Sequence, residues 1–257
     1  MHAYIAMRPV PGPAVPLQYN YLIQSAIYSA LPPELAEHLH ERGYEAGGRR
    51  YKMFAFSRLL GCYVLDREAR TISFSDKVTL VVSSPNIKFF HYLINNLLTR
   101  SHLRLGEARL AIEHVRFSEQ VVEEETLVVR TLSPVVAYST LLRPEGGKYT
   151  CYYQPGEKEF ERIVTANLAK KYVAYYGEPV PDGTVQVRPL DRPRLHVMDY
   201  KGSVVKGYTG RLRLIGPREL LQIALDAGLG SKNAQGFGCV EKVEGRREKD
   251  IGGTVSW

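Results

Sequence analysis

The chain has 257 residues, 44% of them hydrophobic and 24% charged, which is enough to bury one large core or two small ones and too apolar for a mostly disordered protein. Thirty-four Lys and Arg against 27 Asp and Glu leave a formal charge of +7, which favours an acidic partner such as a nucleic acid or an anionic surface. No stretch approaches the roughly 20 apolar residues of a membrane helix, and no basic region leads into a long apolar run at the N-terminus. With Cys62, Cys151 and Cys239 widely spaced and odd in number, neither a disulfide framework nor a zinc site is suggested, and a soluble, cytoplasmic protein is expected.

In chain order, Tyr4 to Val10 reads as a strand, closed by the Pro11–Gly12–Pro13 turn. Tyr19 to Leu31 has helical spacing, with Leu22, Ile23, Ala26, Ile27 and Ala30 on one side and Tyr28 at the edge. Pro32–Pro33 starts a short helix over Glu34 to Glu41 with His40 close to its end. Residues 43–50, rich in glycine and charge, predict a mobile connector. Lys52 to Leu65, Thr71 to Phe74 and Val78 to Val82 read as strands of one sheet, Pro85 to Leu98 as an amphipathic helix, and Leu103 to Phe117 as strand. The resulting order β-α-β-β-α-β is that of a ferredoxin-like unit. Glu123, Glu124 and Glu125 mark a solvated junction, after which the order repeats. Thr126 to Arg130 and Val135 to Leu142 are strand-like, Glu157 to Tyr176 is helical, Thr184 to Ile215 holds several strands, and a helix begins at Pro217. The expected class is α+β, two tandem ferredoxin-like (RRM-like) domains over residues 1–123 and 124–257.

The chain is organised around residues 228–238, Gly-Leu-Gly-Ser-Lys-Asn-Ala-Gln-Gly-Phe-Gly, which lie between the Pro217 to Ala227 helix and the strand-like Cys239 to Val243. Paired glycines tolerate positive φ and bring backbone amides close to a ligand, for which an anion is the expectation. In dinucleotide-binding and P-loop folds the glycines precede a helix, whereas here they follow one, so phosphate contact would have to come from loop amides and Lys232. A plain glycine-rich turn accounts for the same residues.

This Gly-h-Gly-x5-Gly-h-Gly pattern, after a helix and before a strand, resembles the signature of the RAMP superfamily, the repeat-associated RNA-binding proteins of CRISPR systems. Three N-terminal blocks, Tyr19 to Tyr28, Leu39–His40–Glu41 and Tyr51 to Ser57, are similar to those of the CRISPR-associated precursor-RNA endoribonucleases, and with the glycine loop the resemblance spans nearly the whole chain. It implies catalytic roles for Tyr28, His40 and Lys52, and RNA contacts by Gly228, Gly230, Lys232, Asn233, Gly236 and Gly238. His38, two residues from His40, is the competing histidine. The chemistry suits these types. An RNA 2′-hydroxyl attacks its own phosphate once its proton is removed, imidazole exchanges protons near neutrality, and an ammonium stabilises phosphate charge. No metal or other cofactor is implied, and His2, His91, His102, His114 and His196 lack metal-ligand spacing.

Residues 188–218 carry eight Lys and Arg against two Asp, with Tyr200 and Tyr208 interleaved. Arg192, Arg194 and Lys206 are therefore candidate RNA contacts; charge protecting a sheet edge from aggregation is the alternative. The expectation is a metal-independent endoribonuclease that cuts CRISPR repeat RNA in precursor transcripts, leaving 5′-hydroxyl and 2′,3′-cyclic phosphate ends. Its partners are the precursor RNA and, through the resemblance, other subunits of a CRISPR effector complex, with the protein itself a monomer or homodimer and no membrane involved. Two readings stay open beside it: a non-catalytic RAMP-type RNA-binding subunit, and an unrelated ferredoxin-like metabolic protein.

Overall fold

The computed structural model describes residues 1–243; the remainder of the expected second domain, 244–257, lies outside the described residues. Five α-helices are present among them: α1 (Asn20–Ser29), α2 (Pro33–Glu37), α3 (Ile87–Arg100), α4 (Lys158–Tyr176) and α5 (Arg218–Ala227). The first sheet is antiparallel, in the order Ala55–Phe56, Val78–Ser83, His2–Pro9, Ala108–Ser118, His102–Leu105. The second runs Gln186–Pro189, Arg211–Ile215, Thr126–Thr131, Val240–Lys242. Each unit thus has its second, third, first and fourth core strands side by side, the βαββαβ arrangement twice over. The chain is α+β with tandem ferredoxin-like units.

Alternation along the strands assigns the faces. Ala3, Ile5 and Met7 of the first strand are buried with Ile23 and Ile27 of α1 and Phe90 and Leu93 of α3. In the second unit Leu127, Val129, Leu212 and Leu214 meet Phe160, Val164 and Leu168 of α4 and Leu220 and Leu221 of α5. The two units share material. Tyr51 and Met53, from the first half of the chain, are buried in the second core, and Ala55 and Val81 pack with Leu132 and Cys239 between the sheets. Backbone bonds cross as well, from Arg58 N to Leu132 O at 3.0 Å.

Two expectations change. Lys52 to Leu65, Thr71 to Phe74 and Val78 to Val82 do not form one sheet. Only Ala55–Phe56 and Val78–Ser83 join the main sheet, whereas Thr71–Phe74 pairs with Tyr63–Asp66 on one side and Val15–Pro16 on the other in a side sheet. Tyr63 to Asp66 is exposed throughout, so these residues have no apolar face to lend to the core. The expected connector at 43–50 is a hairpin, Tyr44–Ala46 paired with Arg49–Tyr51. Gly47 and Gly48, both at positive φ, make its two-residue turn. It is clamped to the second unit by the Tyr44 ring, 5.2 Å from that of Tyr175 on α4, and to the first by the Tyr44 hydroxyl, which accepts from Asn86 Nδ2 at 3.0 Å.

Candidate active site

Three short segments place the N-terminal candidates. Tyr28 lies in the last turn of α1, its ring edge-on to Phe54 at 5.9 Å. After α2 the helix widens to π geometry over His38–Arg42 and stops at Gly43, whose N–H donates to His38 O at 2.6 Å. Such π turns leave carbonyls free for other partners, and here Lys52 Nζ donates to the carbonyl of His40. The hairpin carries the chain from this turn back to Lys52. The next residue, Met53, is left-handed at φ 52°, and its carbonyl accepts from Ser84 Oγ at 2.8 Å. A buried residue held in that conformation fixes the direction in which its neighbour leaves the backbone.

The result is one cleft of about 730 Å³ between the two units, lined by Tyr28, His40 and Lys52 from the first and by Lys232 and Asn233 from the second. The Tyr28 and His40 ring centroids are 5.7 Å apart, near perpendicular. His40 Nδ1 lies 2.7 Å from Glu41 Oε1, an interaction that holds the Glu41 carboxyl below its usual range. Burial lowers the Lys52 ammonium from its ordinary value, with the Arg50 charge adding to the shift, and burial pushes the Tyr28 phenol well up. Tyr28 is therefore a neutral hydrogen-bonding group, and Lys52 a cation readier than usual to give up a proton. His38 turns elsewhere, its ring 5.8 Å from Tyr44, and does not line the cleft.

The glycine loop is built by packing. The amides of Leu229, Ser231, Gln235, Gly236 and Gly238 already donate to protein carbonyls, including Val136 O at 2.8 Å and Pro134 O at 2.8 Å. A Cβ on Gly236 would come within 2.5 Å of the Phe56 ring and 2.6 Å of Asn20 Nδ2; one on Gly238 would meet Leu229 O at 1.9 Å. The loop wedges between the units because it lacks side chains there, and it lines the cleft with Ser231, Lys232 (φ 63°), Asn233 and Gln235. Asn233 is engaged internally, its Nδ2 donating to Leu229 O and Phe237 O.

The basic segment is divided. Arg192 and Arg194 line a second cavity of about 690 Å³ with Arg130 and Arg211, where Asp191 pairs with Arg211 Nε at 3.1 Å. Lys206 pairs with Val197 in the hairpin Arg194–Tyr200 with Ser203–Thr209. The strand period puts it on the face opposite Arg194.

Two family models match consecutively, that of the CRISPR-associated protein Cas6, N-terminal, over residues 14–116 and that of the CRISPR-associated protein Cas6, C-terminal, over 117–242. The chain belongs to the Cas6 family. It is 27% identical over 241 residues to the CRISPR-associated endoribonuclease Cas6 1 of Methanocaldococcus jannaschii, covering 92% of this chain and 90% of that protein. It is 27% identical over 245 residues to the CRISPR-associated endoribonuclease Cas6 of Pyrococcus furiosus, covering 91% and 85%. The solved structure of the product of a Cas6-related gene of Pyrococcus furiosus matches its fold with a TM-score of 0.81 at 20% identity, covering 95% of this chain and 98% of that one.

Sequence reading missed Lys171, which supports the Cas6 glycine loop from below. Almost wholly buried on α4, it donates to Gly228 O at 2.6 Å and Asn233 Oδ1 at 2.7 Å, with Ala227 O and Gly230 O at 3.3 Å. Burial pushes its ammonium down to about 7. The signal was available, since Phe160, Val164, Leu168 and Lys171 fall on one helical face. Among the described residues no group of three or more His, Cys, Asp or Glu is gathered for a metal ion, and no helix is long and apolar enough to cross a membrane.

Proposed function

We propose that this Cas6-family chain is an endoribonuclease of CRISPR repeat RNA, and that it cuts precursor transcripts through the Tyr28, His40 and Lys52 cleft without metal. The observation that carries this reading is the convergence of those three side chains in one cleft that Lys232 completes from the other unit. A strand of RNA seated there meets a phenol, an imidazole and two ammonium groups. In the proposed reaction the ribose 2′-oxygen attacks the adjacent phosphorus, the P–O5′ bond breaks, and His40 moves the proton from the 2′-hydroxyl towards the departing 5′-oxygen. A 2′,3′-cyclic phosphate and a 5′-hydroxyl end result. Lys52 and Lys232 stabilise charge that grows on the phosphate oxygens, and Tyr28, neutral at working pH, orients by hydrogen bonding. Arg192, Arg194 and Lys206 hold flanking phosphates.

The test is single-turnover cleavage of the repeat from the protein's own locus. Cleavage should persist in excess chelator and stop when a deoxynucleotide replaces the ribose 5′ of the cut. His40→Ala should slow it by roughly 10²- to 10⁴-fold, the usual range for a general acid or base, with little change in RNA affinity, and His38→Ala should remain active. Cleavage of the deoxy-substituted RNA would refute the 2′-hydroxyl mechanism. Full binding without cleavage by the unaltered protein would return the chain to the RNA-holding reading.

A further inference from the structure

The cleft has polar and aromatic lining that proton transfer does not use: Gln24, Tyr138 and Tyr200. Gln24 lies four residues before Tyr28 on α1, so the two side chains leave adjacent turns of one helix face. Tyr200, at the tip of the Arg194–Thr209 hairpin and only 9% exposed, donates its hydroxyl hydrogen to Gln24 Oε1. In this arrangement the amide oxygen faces the Tyr200 hydroxyl. That oxygen is occupied, while Nε2, with two N–H donors, has no protein acceptor among the described residues. In the same cleft the partly exposed Tyr138 ring rests on the buried cluster of Val136, Tyr200, Val205 and Phe237. The Lys232 ammonium lies over the Tyr138 ring, 5.7 Å from its centroid.

An anchored aromatic ring, a cation over it and an amide with outward donors are components with which proteins hold and read a single unpaired base. The geometry points to a nucleobase subsite next to the cleavage chemistry, in which Gln24 is a specificity-determining residue; the inference rests on the endoribonuclease reading. A base flanking the scissile phosphate enters the cleft beside Tyr138 and Lys232, and Gln24 Nε2 donates to its keto oxygen, guanine O6 or uracil O4. Adenine and cytosine carry an amine at that position, so donor would face donor and no hydrogen bond forms. Tyr200 acts through Gln24 as a positioning residue.

The experiment measures single-turnover kcat/KM on repeat RNAs altered one at a time at the two nucleotides on each side of the cut, G against A and U against C. At one of these positions the unaltered protein should favour the keto base by roughly tenfold, the scale of one hydrogen-bonded base contact. Gln24→Leu should bring that ratio close to unity, and Gln24→Glu, which presents an acceptor, should shift it towards the amino base. Tyr200→Phe, which frees the amide to rotate, should also lower it. Each ratio compares two RNAs on one variant, so any loss of folded protein cancels. Equal rates at every position, or an undiminished keto preference in both Gln24→Leu and Tyr200→Phe, overturns the subsite while leaving the endoribonuclease in place. Failure of the unaltered protein to cleave any of the RNAs overturns both.

Discussion

Replacing Gly236 by alanine separates two accounts of the glycine loop, one in which its glycines let phosphate approach and one in which they let the two units close on each other. Gly236 has φ +84°, and a Cβ there would stand 2.5 Å and 2.9 Å from atoms of the Phe56 ring and 2.6 Å from Asn20 Nδ2. Phe56 is fully buried and Asn20 is bonded to Gln235 O, so neither has room to retreat. Gly202, in the hairpin turn, is the matched control. It has nearly the same φ of +77° and nothing within 4 Å of a new Cβ. A left-handed alanine costs both variants about 1–2 kcal/mol, and overpacking costs Gly236→Ala a further 1–3 kcal/mol, roughly. Denaturant unfolding should therefore place Gly202→Ala about 1–2 kcal/mol below the unaltered protein and Gly236→Ala about 2–5 kcal/mol below it. RNA affinity of Gly236→Ala should fall in step with stability. Equal losses in the two variants, or weakened RNA binding by Gly236→Ala at unchanged stability, would refute the packing account and restore the loop's glycines as phosphate contacts.

Neutralising Arg192, Arg194 and Lys206 should flatten the dependence of log affinity on log salt by roughly 0.7–0.9 for each phosphate that is no longer neutralised. Arg192 and Arg194 share a cavity and Lys206 does not, so the Lys206 increment should add independently to theirs; an unchanged slope would leave the segment as a charged sheet edge. Lys171 predicts a pH signature. Its folded value of about 7 lies below the ordinary 10.5, so between these pH values the unfolded chain binds the extra proton, and stability should rise with pH across that window. The neutral amine keeps two N–H donors for its two short hydrogen bonds, to Gly228 O and Asn233 Oδ1. Lys171→Met leaves those acceptors unpaired and removes the titration, so it should destabilise the protein most at high pH and abolish the rise, as thermal melts from pH 7 to 10 would reveal; a rise of equal size in Lys171→Met would assign it to other groups.

The sequence by itself determined the class of the fold and the order of its elements, because apolar residues recur at helical spacing in α1, α3, α4 and α5 and alternate in the central strands. It also supplied Lys232 as a candidate through the paired glycines around it, and Tyr28, His40 and Lys52 through the resemblance of the three N-terminal blocks. What it did not contain is which surfaces meet. The hairpin over 44–51 looked like a connector because its glycines and charges carry no periodicity. Its order comes from Tyr44 lying against Tyr175, residues more than a hundred positions apart. The basic segment read as one surface because its charges are close along the chain, yet a strand turns successive side chains to opposite faces, and Arg194 and Lys206 part company. The glycine loop, expected to bare its amides, commits them to carbonyls of its own residues and of Pro134 and Val136, and its bare Gly236 packs against Phe56 and Asn20 of the other unit. Local pattern reports propensity and periodicity; the pairing of a tyrosine with a distant tyrosine, of a buried lysine with a loop, and of Tyr200 with Gln24 is decided only when burial of both cores brings those residues together.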